Sequence, residues 1–187
     1  MVVYSPRTPA GRPTAPTVIR LVPLSLEHLD GVMTWVNDPE VTFYFARLGE
    51  PITREAEAAF LERLIASKND LIFSVFDGKE YLGQVGISQI YWPARNGRMA
   101  VMLARHAWGR GVAKAAGRLL LREAFETHDL HKIWIILRSD NAKGLHIWTQ
   151  VGFRCEGILR DEYFSVGRFH DMVRLAMLRS DWAAAIE

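Results

Sequence analysis

Apolar and polar positions follow two rhythms along this chain, and the changes between them mark the elements. The run TVIRLVPL, Thr17–Leu24, is rich in β-branched and aliphatic residues and predicts an opening strand. Leu26, Leu29, Met33 and Val36 then recur at helical spacing behind Ser25, a residue type that caps helix starts, and Asp38-Pro39 closes the segment. The stretch ITREAEAAFLERLIAS predicts a second helix, with Thr53 as its cap, Glu57 near the first turn, and Phe60, Leu61, Leu64 and Ile65 as an apolar stripe. DLIFSVFDGKEYLGQVGISQIYW divides into two β-rich runs about Asp77-Gly78, a strong hairpin signal. NGRMAVMLA, Asn96–Ala104, supplies a further strand after an Asn-Gly turn.

The order then changes. A helix is predicted from about Gly111 to Thr127, burying Val112, Ala115, Ala116, Leu119, Leu120 and Phe125. KIWIILR, Lys132–Arg138, is almost continuously apolar, as in a strand covered on both faces within a parallel pair. NAKGLHIWTQV is a short helix ended by Gly152, and two closing strands, Arg154–Phe164 and Phe169–Leu178, flank a Val166-Gly167 turn. The pattern predicts an α/β chain with a mixed sheet of about seven strands. With no internal repeat and no inner linker, one domain over residues 17–187 is expected, preceded by a flexible proline-containing arm over residues 1–16.

Composition narrows the function classes. A chain of 187 residues, 49% hydrophobic, can bury one core of ordinary size. A net charge of +2 gives no concentrated basic surface, so no nucleic-acid partner is expected. The single cysteine, Cys155, excludes an internal disulfide framework and a multi-cysteine metal site; it reads as a small buried residue on an inward-facing run. His128 and His131 flank a loop without the spacing or companions of metal ligands, so no metal is expected. No stretch approaches membrane-span length and the arm lacks an apolar signal core, so a soluble cytoplasmic protein with no membrane partner is the expectation.

The most informative stretch is RHAWGRGVAKAAGRLLLREAF, Arg105–Phe125, where two glycines bracket an arginine at the mouth of a helix. Such a turn presents free backbone N–H groups and the positive end of a helix dipole, and phosphate is the usual guest. A nucleotide P-loop, G-x-x-x-x-G-K-[ST], has no match here. A dinucleotide fingerprint fails because Lys114 stands where its third small residue belongs, and because the preceding strand follows a hairpin. The pyrophosphate turn of acyl-coenzyme A enzymes, Q/R-x-x-G-x-G/A, is met by the six residues Trp108–Ala113 at its fourth and sixth positions, Gly111 and Ala113.

These motifs do not stand alone. WVNDPEVTFYF, WGRGVAKAAGRLLLREAF, and the closing half with Asn141, Val151-Gly152-Phe153, Gly157 and Asp171 occur in the order and spacing of the GNAT superfamily of N-acetyltransferases. From Ile19 to about Trp182 the chain resembles that superfamily, above all its ribosomal-protein N-terminal acetyltransferases and the similar spermidine acetyltransferases. The resemblance implies an α+β three-layer fold: a mixed, mostly antiparallel sheet with helices on both faces, splayed at a central parallel pair where the strand Arg98–Ala104 bulges away from Lys132–Arg138.

It also implies roles. Acetyl-coenzyme A would be the cosubstrate, its pantetheine arm in the gap and bonded to main-chain groups near Met102, Leu103 and Ala104. The pyrophosphate would rest on N–H groups from Trp108 through Gly109, Arg110, Gly111, Val112 and Ala113, with charge added by Arg105, Arg110 and Lys114. Asn141 would cap its helix and also bond the pantetheine. Trp148 stands where many relatives carry the tyrosine that protonates the departing thiolate, and would instead wall the thioester end of the pantetheine channel; Arg98 stands where relatives often place a glutamate base. Glu162 and Tyr163 in the closing hairpin, beside Asp161 and His170, are then the candidates for proton transfer. The aromatic stretch Val41–Glu50 would form one wall of the acceptor pocket. The implied activity is direct transfer of acetyl to a primary amine, with a protein N-terminal α-amine as the leading acceptor. A small amine (polyamine, amino sugar or amino acid) is the alternative acceptor, and a non-catalytic acyl-coenzyme A sensor the alternative function. A monomer or homodimer is expected.

Overall fold

The computed structural model describes residues 18–44 and 50–186. The arm expected over residues 1–16, Thr17 and the middle of the Val41–Glu50 stretch lie outside the described residues.

The chain opens with β1 (Ile19–Pro23). Ser25 accepts a hydrogen bond from the Glu27 N–H and starts a 3₁₀ turn, Leu26–His28, that runs into α1 (Leu29–Met33). Asp38 does not simply close this segment: its carboxylate caps a second short helix, α2 (Pro39–Thr42), with Pro39 at the first position. Thr53 caps α3 (Arg54–Ala66) by accepting from the Ala56 N–H. The hairpin about Asp77-Gly78 joins β2 (Leu71–Asp77) to β3 (Glu80–Tyr91), and β4 spans Asn96–Leu103. After the glycine turn come α4 (Val112–Arg122), a π-helical turn Glu123–Thr127, β5 (Lys132–Arg138) and α5 (Ala142–Val151). The chain then runs through β6 (Arg154–Ser165), β7 (Arg168–Leu178) and α6 (Arg179–Ile186).

Among the described residues seven strands form one sheet in the order β1-β2-β3-β4-β5-β7-β6. Every pairing is antiparallel except β4 with β5, whose connection through α4 supplies the crossover that a parallel pair requires. That pair is registered only at Asn96↔Lys132, Gly97↔Ile133 and Arg98↔Trp134. Beyond Arg98 the two strands part, and a V opens toward Leu103 and Arg138.

Two apolar layers hold the sheet. On one face Met99 and Leu103 of β4 pack with Ile133 and Ile135 of β5 under Ala116, Leu120 and Leu121 of α4 and Trp148 of α5. On the other, Val32, Trp35 and Leu61 from the helical segment pack against Ala104, with Met102 at the margin. Successive β4 residues therefore serve opposite layers, the period-two consequence of a central strand.

The structure corrects several expectations. Asn96 and Gly97 lie inside β4; the preceding turn is the 3₁₀ segment Trp92–Ala94, ended by Arg95 at φ 48°. The bulge sits on β3, between Ser88 and Tyr91 with Gln89 at φ 55°, and the β3–β4 register through Arg98–Leu103 is unbroken. In α3 the inward stripe is Glu57, Leu61 and Leu64; Phe60 and Ile65 flank it and are exposed. Cys155 is exposed as well, because β6 is an outer strand and the residues Arg154–Glu156 have no layer above them.

Candidate functional site

At the open end of the V, β4 passes through a 3₁₀ turn, Arg105–Ala107, into Trp108 and the glycines. The Ala104 N–H donates to the Leu82 carbonyl at 2.9 Å. Alternation along the strand then gives Met102 and Ala104 main-chain groups to β3 and turns those of Val101 and Leu103 toward the gap. The Leu103 carbonyl accepts from the Trp108 indole N–H at 2.9 Å. Of the three residues expected to offer main-chain groups there, only Leu103 faces that way, and its N–H is the donor on offer.

Gly109 and Gly111 both adopt left-handed backbone, at φ 74° and 76°. Nothing lies within 4 Å of where a Cβ would stand on either, so the concave side of the turn is open. Gly111 is the N-cap of α4 and carries no side-chain cap, which leaves the first N–H groups of an 11-residue helix directed into that opening. Val112 is buried beneath the turn, and Ala113 packs at the margin of the core.

The basic side chains divide. Arg110 forms ion pairs with Asp77 at 3.0 Å and Glu80 at 3.1 Å, which bind the turn to the β2–β3 hairpin. Arg105 pairs with Glu40 at 2.8 Å and lies 3.8 Å from Asp38, in the first turn and at the cap of α2. Any phosphate must compete with these carboxylates for either arginine. Lys114, exposed in the first turn of α4, has no ion pair among the described residues.

Asn141 caps α5, its side-chain oxygen accepting from the Gly144 N–H at 2.9 Å. Trp148 is 4% exposed, edge-on to Phe153 at 5.9 Å and packed against Gly117 of α4. Indole here is a core wall between α4 and α5.

On the opposite face lies a pocket of about 410 Å³, bounded by Trp35 and Thr42, by Glu57 and Phe60 of α3, by Gln84 of β3 and by Met102 of β4. Glu57 is 3% exposed there, and the Gln84 side-chain nitrogen is buried without a hydrogen-bond partner among the described residues.

Beside it, at the end of β5, is an assembly that sequence reading missed. Arg138 is almost wholly buried; it donates to Asp140 through Nε at 3.0 Å and Nη2 at 2.5 Å, to Ser165 Oγ at 3.3 Å and to the Phe43 carbonyl at 3.4 Å. Its guanidinium lies 5.2 Å from the ring centres of both Phe43 and Tyr44. Its bonds hold the Asp140 carboxyl below the usual carboxylate range. An arginine ending an apolar strand, with Asp two residues on, was the available signal. His170 is buried nearby, its Nε2 3.1 Å from the Ser165 carbonyl.

Of the two proton-transfer candidates, Glu162 is exposed in an irregular part of β6, where the register jumps between Leu159 and Tyr163. Tyr163 is half-buried; burial raises its phenol, while Arg138 and Arg98 pull it down. His128 and His131 are not gathered with other ligands, and among the described residues no group of His, Cys, Asp and Glu could hold a metal. Among the same residues no helix is long and apolar enough to cross a membrane.

The family model of the acetyltransferase (GNAT) domain matches residues 19–154. The spermidine N(1)-acetyltransferase of Escherichia coli K12 is 27% identical over 167 residues, 89% of each chain. The Bacillus subtilis protein named "Putative ribosomal N-acetyltransferase YdaF" is 28% identical over 108 residues, 58% of each chain. The crystal structure of spermidine N-acetyltransferase from Vibrio cholerae with CoA and spermine superposes with a TM-score of 0.82 at 25% identity, covering 88% of this chain and 98% of that one.

Proposed function

The chain belongs to the GNAT acetyltransferase family and is an acetyl-coenzyme A-dependent N-acetyltransferase; from that premise we propose that its acceptor is the primary amine of a small molecule. The observation that carries this reading is the 410 Å³ pocket on the α3 side of β4, a volume in the range of small-molecule sites. A concave pocket bounded by Trp35, Phe60 and Met102 suits a compact ligand better than the end of a folded polypeptide. The E. coli and V. cholerae relatives act, by their names, on a small amine.

Acetyl-coenzyme A supplies the activated acetyl group. On this reading the open, left-handed turn at Gly109 and Gly111 and the uncapped start of α4 hold its pyrophosphate, with Lys114 beside them as a cation that has no ion pair among the described residues. The gap between β4 and β5 takes the pantetheine, against the Leu103 N–H. Asn141 spends its side-chain oxygen on the α5 cap and keeps its amide N–H₂ for a ligand. Trp148 supports the channel from within the core. Tyr163 is the better of the two proton-transfer candidates, because it is half-buried near the Arg98 and Arg138 charges while Glu162 is exposed. Positioning of the two substrates supplies much of the rate.

The test is coenzyme A thiol release from acetyl-coenzyme A with small primary amines, and with a short peptide bearing a free N-terminus. Turnover of small amines above the peptide is expected. Preference for the peptide would instead favour a protein N-terminal acceptor, the reading suggested by the B. subtilis relative. Binding of coenzyme A without turnover of either would favour a sensor.

A further inference from the structure

We infer that the acceptor carries an anionic group, received by Arg98, and is therefore not a polyamine. This rests on the acetyltransfer reading above and names the acceptor's class.

Arg98 is on β4 at the last registered pair with β5, Arg98↔Trp134, so it marks the bottom of the V. It shares its strand face with Met102, which borders the pocket, and so faces the acceptor side rather than α4. It is half-buried, yet its guanidinium makes no hydrogen bond and no ion pair among the described residues. A guanidinium has five N–H donors and stays charged at every physiological pH. Part-buried and without a protein partner among the described residues, it is open to an anionic ligand in place of water.

The surroundings reinforce the sign. The face around Arg98 holds Trp134, with Arg174 stacked 4.3 Å above the indole, and Tyr163, whose phenol burial raises against a smaller downward pull from Arg138 and Arg98. Arg174 Nε is buried without a hydrogen bond among the described residues and lies 3.4 Å from Glu156, a carboxylate that also pairs with Lys132. Asp140 is engaged by Arg138, and Asp171 accepts from the Asp161 N–H at 2.9 Å. Glu162 is exposed on β6. None of these carboxylates is paired with Arg98. Glu57, on the same side of the sheet, borders the pocket near Met102. Arg63 of α3 borders the pocket as well, and Arg98 stands beyond its lining, four residues along β4 from Met102, where an acceptor reaching from the pocket to the apex of the V would meet it.

A polyamine presents only ammonium groups, and bringing one beside an unpaired guanidinium is repulsive. An amine that also carries a carboxylate or phosphate satisfies Arg98 with charge-assisted bonds. Pairing also eases the chemistry: with Arg98 offsetting the acceptor's own anion, that anion no longer favours the ammonium form, so the amine releases its proton to water and stands neutral for attack. Arg98 cannot act as a base, and on this account the anionic acceptor needs none at that position.

The test uses matched amines: L-alanine against L-alaninamide, glucosamine 6-phosphate against glucosamine, and spermidine. For at least one pair, the charged member should exceed its neutral partner in kcat/KM by about ten- to a hundredfold, the scale of hydrogen bonds to a charged group. The pair that responds identifies carboxylate or phosphate. Spermidine should fall below both. Arg98→Gln should close the gap within the responding pair, Arg98→Lys should restore most of it, and Arg98→Glu should raise spermidine relative to the anionic amine. Neutral amines acetylated as well as charged ones, or spermidine the best substrate of the parent, would overturn the inference and leave acetyltransfer standing. No turnover with any amine would overturn both.

Discussion

The Trp108 indole N–H donates to the Leu103 carbonyl across 2.9 Å, so the glycine turn is fastened to the end of β4 by a side chain. Trp108→Phe keeps an aromatic ring and removes the donor. The net loss for one such bond is about 1 kcal/mol. Coenzyme A affinity by calorimetry should fall about fivefold, with coenzyme A-free stability changing by no more than that amount. Unaltered affinity would mean the turn holds its shape without this tie.

Gly111 separates backbone geometry from charge. At φ 76° a side chain is strained, although no atom obstructs a Cβ. Gly111→Ala should cost about 1 kcal/mol of stability in urea unfolding, the penalty for left-handed backbone. Gly111→Glu adds a negative charge to the concave face and should lower coenzyme A affinity by orders of magnitude. Equal affinities for the two variants would remove the pyrophosphate from this turn.

Trp148 and Gly117 fit each other and nothing larger. A Cβ at Gly117 would approach Trp148 Cζ3 to 2.5 Å. Gly117→Ala should destabilise by about 1–3 kcal/mol, as for overpacking of a dense core. In a Trp148→Tyr background the same substitution should cost markedly less, since the smaller ring vacates that volume. Trp148→Ala alone should cost about 3–5 kcal/mol. Additive effects in the double variant would show that the two sites do not share this contact.

His28 makes part of the fold pH-dependent. Burial lowers its pKa below the ordinary 6.5, against a smaller upward pull from Glu27. The neutral ring suits its contacts: Nδ1 accepts from the Ser25 N–H at 3.3 Å and lies 2.9 Å from Ser74 Oγ. With the folded value depressed, the unfolded chain binds the proton more readily. The contribution is whole above pH 6.5 and is lost as pH falls through the lower, folded value. Urea midpoints measured from about pH 7.5 down to about pH 5 should therefore drop more for the parent than for His28→Gln. Parallel curves would exclude His28 as the source.

Strands and caps were legible in the sequence because local chemistry sets them: Ser25, Thr53, Asn141 and Gly152 stand at the helix boundaries their residue types predict. The glycine turn was legible for the same reason. Which way a side chain turns was not. Cys155 and Ile65 read as inward from their apolar neighbours, but exposure depended on β6 being outermost and on α3 covering the sheet with a narrow stripe, both consequences of tertiary arrangement. Arg110 and Arg105 are basic residues beside a phosphate-like turn, and only the folded chain brings Asp77, Glu80 and Glu40 to them. Arg138 was hidden for the opposite reason: an arginine at a strand end ordinarily reaches water, and here Phe43 and Tyr44 close over it.

The outer strand β6 breaks step with β7 twice, between Cys155 and Gly157 and between Leu159 and Tyr163, with Asp161 held at φ 49°. A newcomer seeking to extend the sheet would find no straight template longer than a few residues. Each break twists the free N–H and C=O groups out of line, so the exposed Ile158 and Phe164 sit beside a ladder that cannot be copied. Straightening it, by deleting the residues that bulge, would leave the pocket and the glycine turn where they are and make the rim adhesive: such a protein should form fibrils at concentrations where the parent stays clear.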